Sequence, residues 1–172
     1  MADILILGYG NTLRSDDALG VYAAHALQNF YCDDAGMRVL ATAQLSLDLA
    51  EDVSQAEFVL FIDATEGGAP GEIFREALTP ADDNIHFSHH CTPRSLLMAA
   101  MRLYGRSPLA ISLTMAGASS DVGLGLTHEI QGRLPYLLEH AKSIVSQWRL
   151  DATTNNHQTR DAMSHQRELL PR

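Results

Sequence analysis

Ile4-Leu5-Ile6-Leu7-Gly8-Tyr9-Gly10-Asn11 is the stretch that decides how this chain folds. Four apolar residues run straight into a glycine turn, the pattern of a strand buried on both faces of a parallel sheet. Asp16 and Asp17 then stand at the entry to a helical stretch, where Leu19, Tyr22, Ala23, Ala26, Leu27 and Phe30 recur near helical spacing. Acidic residues in a first turn also complement the helix dipole.

Outward from this unit the pattern repeats. Residues 38–42 read as a second strand and 45–53 as a short helix. Phe58-Val59-Leu60-Phe61-Ile62 is a third strand that ends at Asp63 and enters Gly67-Gly68-Ala69-Pro70-Gly71. A further short strand is expected over 72–78, then a loop to Thr92-Pro93, an N-cap with proline at the first helical position. That helix uses Leu96, Leu97, Ala100, Met101 and Tyr104 until Gly105 ends it. Residues 109–115 alternate as a strand, and 127–150 read as a last amphipathic helix with Pro135 as a candidate bend. Strands alternating with helices predict an α/β fold, a three-layer α/β/α sandwich around a mostly parallel twisted sheet.

The composition bounds the function. Lys+Arg number 12 and Asp+Glu 21 in 172 residues, a net charge of −9, with 46% hydrophobic and 19% charged residues. This is one globular domain, expected over 1–150, followed by a polar and flexible tail over 151–172 whose three basic and three acidic residues cancel. An acidic chain with one lysine, Lys142, is no nucleic-acid binder by bulk charge. No apolar run approaches the ~20 residues of a membrane span. Met1-Ala2-Asp3 opens without a basic export signal, and Cys32 and Cys91 cannot make a disulfide scaffold. A cytoplasmic location is expected.

In a parallel sheet, function gathers in the crevice beyond the carboxyl ends of the strands. Three groups can be placed there: the Gly8-to-Asp17 segment, Asp63, and the loop histidines His86, His89 and His90. Two carboxylates and an imidazole would suit a borderline divalent ion such as zinc or nickel. Plainer readings stand beside this one: Asp17 as a dipole partner, Asp63 as a turn cap, the histidines as a solvated loop, Cys91 as a small hydrophobe. Gly8-x-Gly10 invites a dinucleotide reading, but the third glycine would fall on Leu13, and Asp16-Asp17 would repel a pyrophosphate. There is no Walker-type lysine motif, no Gly-x-Ser-x-Gly and no His-Glu-x-x-His.

Taken in order, the segment from Leu7 to Gly20 (Leu-Gly-Tyr-Gly-Asn-Thr-Leu-Arg-Ser-Asp-Asp-Ala-Leu-Gly), Ile62-Asp63-Ala64 with Gly67-Gly68-Ala69-Pro70-Gly71, Ser88-His89 before Leu96-Leu97, and Gly123-x-Gly125-Leu126-Thr127 resemble the hydrogenase maturation endopeptidases. That family trims the C-terminus of the large subunit of nickel–iron hydrogenases, and the match spans about residues 3–145. The resemblance implies a metal site rather than a catalytic serine or cysteine, with Asp17, Asp63 and His89 as both catalytic and metal-contacting residues. His90 is the alternative imidazole, and Asp17 stands where some members carry Glu. It further implies that nickel arrives with the substrate, the immature large subunit, and that the ion polarises the scissile carbonyl or acidifies a water. Two other readings remain: a non-catalytic nickel-protein docking or chaperone module with the same ligands, and a small nucleotide-binding α/β protein, which Leu13 disfavours.

Overall fold

A computed structural model describes residues 3–82 and 91–168. Its centre is a five-stranded sheet of β1 (Ile4–Tyr9), β2 (Met37–Thr42), β3 (Phe58–Thr65), β4 (Ile73–Leu78) and β5 (Leu109–Ala116), in the order β2-β1-β3-β5-β4. All neighbours pair in parallel except β4, an antiparallel edge strand against β5. Helices α1 (Leu19–Phe30) and α4 (His128–Glu168) cover one face; α2 (Ala50–Gln55) and α3 (Pro93–Tyr104) cover the other.

Strict alternation along the strands divides the core in two, because successive side chains point to opposite faces. Ile4 and Ile6 join Phe58, Leu60 and Ile62 under α1 and α4, where the Phe58 and Trp148 rings stack at 5.1 Å. Leu5, Leu7, Val59 and Phe61 face the other way onto Val53 of α2 and Leu96, Leu97 and Ala100 of α3. The apolar runs are continuous in sequence because both faces are covered.

The elements expected from sequence recur with informative differences. On α1 the buried residues are Leu19, Gly20, Val21, Ala23, Ala24 and Leu27, while Tyr22 and Phe30 are exposed. Small residues at 20, 23 and 24 let the helix lie close to the sheet, so the contact stripe follows them rather than the aromatics. On α3, likewise, Leu96, Leu97 and Ala100 are buried but Met101 and Tyr104 are not. Its start is as read: the Thr92 side chain accepts from the Ser95 N–H in a reciprocal capping box, and Gly105 ends it with φ 70°. Helix α4 does not stop at Leu150 but continues to Glu168. Residues 151–168 contain neither glycine nor proline, so nothing there terminates a helix. Ala152 still packs against the Trp148 side of the core.

What places the functional end of the sheet is the approach of α1 to β1 and β3. A Cβ on Gly20 would lie 2.3 Å from the carbonyl oxygens of both Tyr9 and Ile62, and one on Gly8 would lie 2.0 Å from the Gly20 oxygen. Both neighbours are backbone in regular elements and cannot swing aside. Gly20→Ala should therefore cost about 3 kcal/mol, at the upper end of overpacking penalties; a denaturant midpoint within error of wild type would show that α1 can retreat.

Candidate functional site

Between β1 and α1 the chain makes a 3₁₀ turn over Ser15–Ala18, so Asp16 and Asp17 precede α1 rather than lie in its first turn. Gly10 has φ 144° and passes so close to this turn that a Cβ would lie 1.7 Å from the Asp17 carbonyl oxygen. The two neighbouring aspartates have opposite fates. Asp16 is 1% exposed, and its carboxylate accepts four hydrogen bonds: Thr127 N–H at 2.7 Å, Thr127 hydroxyl at 2.9 Å, Ala118 N–H at 2.9 Å and Ser119 N–H at 3.0 Å. It fastens the loop after β1 to the loop between β5 and α4. Backbone bonds reinforce that seam, from Ser15 N–H to Gly123 O, from Gly123 N–H to Leu13 O and from Asp16 N–H to Ser119 O. Ser15 carries a positive φ of 43° at the seam, a conformation that the tie holds in place.

Asp17 faces a cleft of about 380 Å³, lined also by Thr65, Glu66, Ser119 and Ser120. One of its oxygens accepts the Asn11 N–H at 2.9 Å. Asp63 lies inside β3 rather than at its end: β3 continues to Thr65, paired with Ala116 of β5. β1 has already stopped at Tyr9, so the β1 flank of β3 opens just past Asp63, whose Oδ1 accepts the Ala64 N–H at 2.8 Å. Burial pushes the Asp63 carboxyl up to about 7; the Asp17 charge adds to this, and hydrogen bonds from Ala64 N–H and the Tyr9 hydroxyl oppose it. Burial and the Asp63 charge hold the Tyr9 hydroxyl far above its usual range, so it remains a donor.

The structure thus brings Asp17 and Asp63 within electrostatic reach of each other. Neither forms an ion pair among the described residues, although five pairs form elsewhere. Cys91, half-buried and close enough to Tyr9 to act on it electrostatically, has its thiol against the Ser95 hydroxyl at 3.6 Å. Burial raises its pKa, so it is the protonated small hydrophobe rather than a ready thiolate. His86, His89 and His90 lie outside the described residues. Among the described residues no three His, Cys, Asp or Glu side chains are grouped to hold a metal.

Sequence reasoning missed Asp16 and Tyr9. Asp16 read as a dipole partner because its four donors lie more than 100 residues away and three of them belong to the backbone. Tyr9 passed for a turn residue. The signal that could have found it is register, since β1 and β3 pair from Ile4↔Phe58 to Gly8↔Ile62 and so set Tyr9 beside Asp63.

No protein-family model matches the chain. It is 26% identical over 154 residues to the hydrogenase 2 maturation protease of Escherichia coli strain K12, covering 87% of this chain and 94% of that one. It is 25% identical over 169 residues to the hydrogenase expression/formation protein HupD of Thiocapsa roseopersicina, covering 93% and 75%. The chain is a relative of the hydrogenase maturation proteases. Solved structures give the same fold. The maturation protease HycI from Thermococcus kodakarensis superposes with a TM-score of 0.69 at 21% identity, over 84% of this chain and 93% of that one. The Escherichia coli maturating endopeptidase HybD superposes at 0.67 and 22%, over 84% and 92%. No helix among the described residues of this maturation-protease relative is long and apolar enough to cross a membrane.

Two stability measurements separate the acids. Asp16→Asn turns an acceptor towards backbone donors and should cost about 3 kcal/mol, whereas Asp17→Asn should cost less than about 1 kcal/mol; equal denaturant midpoints would refute that division. For Asp63 the folded-state pKa, about 7, exceeds the unfolded value of 3.8. The folded chain then binds this proton more tightly, so the group's stabilisation is complete below about pH 4 and is lost as pH rises towards 7. In the metal-free protein, Asp63→Asn should flatten thermal stability between pH 4 and 7 and raise the melting temperature at pH 8 by about 5 °C. A variant that melts lower than wild type at pH 8 would show that the ionised carboxylate is well compensated.

Proposed function

We propose that this protein is an endopeptidase that removes the C-terminal peptide from the nickel-loaded large subunit of a nickel–iron hydrogenase. The observation that carries the reading is the convergence of Asp17 and Asp63, without a cationic partner among the described residues, at the crevice end of the sheet of a maturation-protease relative.

Two carboxylates that disfavour each other's charge are an incomplete electrostatic arrangement, and a cation between them would relieve it. In this reading the cation is substrate, nickel already seated in the immature large subunit, and Asp17, Asp63 and His89 contact it. His89 rests on the family resemblance, with His90 as its alternative. A bound divalent ion polarises a neighbouring carbonyl or acidifies a water, so hydrolysis needs no protein nucleophile. Recognition through the ion also makes cleavage conditional on loading, because a nickel-free substrate lacks the central anchor. The buried state of the Cys91 thiol and the absence of a Gly-x-Ser-x-Gly turn agree with chemistry of this kind. Asp16 has no part in it beyond holding the loops that frame the cleft.

The test is intact-mass analysis of a large subunit incubated with this protein, with and without nickel. Loss of the C-terminal peptide from the nickel-loaded form alone is expected. Asp17→Asn and Asp63→Asn should each slow that cleavage on the order of 100-fold or more, since each removes a charge from the ion's surroundings. Binding of the loaded subunit with no change in its mass would instead make the protein a docking module, and near-wild-type cleavage by Asp63→Asn would overturn the metal-contacting set.

A further inference from the structure

The Tyr9 hydroxyl has no task in the function proposed so far. The parallel pairing of β1 with β3 carries Tyr9 into register beside Asp63, at the point where β1 ends. Both residues are at odd positions, continuing the face of Leu5, Leu7, Val59 and Phe61 that packs against α2 and α3. The Tyr9 ring packs against that cluster, as do Leu40, Leu49 and Cys91, so the ring is braced and its hydroxyl projects from a fixed base. That hydroxyl donates to the Asp63 carboxylate. The second donor to Asp63 is the N–H of Ala64 at 2.8 Å, which reaches Oδ1.

We propose that Tyr9 is a positioning residue: its hydroxyl, braced by the α2–α3 face, fixes the Asp63 carboxylate so that its remaining lone pairs face the substrate's metal ion. The proposal rests on the reading of Asp63 as a nickel contact. An aspartate with two χ angles and a like charge nearby would otherwise turn towards water, and each reorientation would have to be reversed when the substrate docks. A neutral donor resolves this without neutralising the carboxylate, as a lysine or arginine in the same place would. Groups that orient a metal-contacting side chain in this way are commonly worth about 10- to 100-fold in metal affinity or activity.

Tyr9→Phe removes the hydroxyl and keeps the braced ring, so the variant should melt within a few degrees of wild type. The decisive readout is the affinity for the large subunit with and without nickel, measured on a biosensor surface. Nickel should tighten binding to the wild-type protein. Tyr9→Phe should shrink that nickel-dependent gain about 10-fold while leaving the affinity for nickel-free subunit unchanged. Its kcat on the loaded subunit should fall about 10-fold with KM changed less than about 3-fold, because the docking surface is intact. In an Asp63→Asn background, adding Tyr9→Phe should change nothing further, since the hydroxyl acts through the carboxylate. A Tyr9→Phe protein with the full nickel-dependent gain and normal kcat, alongside an Asp63→Asn protein that loses both, would overturn the role of Tyr9 alone. An Asp63→Asn protein that keeps the gain and the rate would overturn the nickel-contact reading and the Tyr9 proposal with it.

Discussion

Everything at the functional end of this molecule depends on how closely α1 lies against the ends of β1 and β3. Backbone meets backbone there: Gly20 sits against the carbonyls of Tyr9 and Ile62, and Gly8 against the carbonyl of Gly20. With a side chain at either place α1 would stand off, and the 3₁₀ turn that carries Asp17 would move with it. The glycines after β1 are therefore packing glycines, not a phosphate cradle, which agrees with Leu13 standing where a dinucleotide fingerprint needs its third glycine.

The same economy explains the adjacent aspartates. Asp16 gives up all its charge-solvating capacity to the chain, accepting four hydrogen bonds from the loop between β5 and α4. Burying a carboxylate is costly unless donors replace water, and here they do. What that arrangement fixes is the seam between two loops, and with it one wall of the cleft. Asp17, one residue further on, keeps most of its lone pairs for the cleft. A pair of identical side chains thus splits into a structural anchor and a reactive group because the turn points them in different directions.

The fold was legible in the sequence to the extent that it follows from pattern. Continuous apolar runs at 4–7 and 58–62 become central strands, and Thr92-Pro93 with Gly105 delimits α3 as the capping rules require. Asp17 and Asp63 were legible because crevice chemistry sits at strand ends. What escaped was whatever depended on a partner distant in the chain. The contact stripe of α1 follows small residues whose value appears only against the backbone of β1 and β3. The strand beyond Asp63 is held by β5, nearly fifty residues later. The four donors to Asp16 and the register that pairs Tyr9 with Asp63 are likewise properties of the assembled sheet and its loops, not of any local window.

Charge placement completes the argument. Where carboxylates serve the fold alone, this chain pairs them: Asp52 with Arg38 at 2.8 Å, Asp34 with Arg149, and Glu139 with Lys142 at 2.9 Å. Such exposed and half-exposed pairs contribute little each, on the order of 0–1 kcal/mol, but they show that cations are at hand. At Asp17 and Asp63 none is supplied by the described residues, and a neutral hydroxyl stands beside Asp63 instead. A resident arginine there would stabilise the apo protein and would also occupy the position a substrate's ion must take. The unrelieved repulsion is therefore best understood as a cost carried by the free protein and discharged on docking, so that affinity for the loaded substrate draws on strain that an unloaded one cannot release.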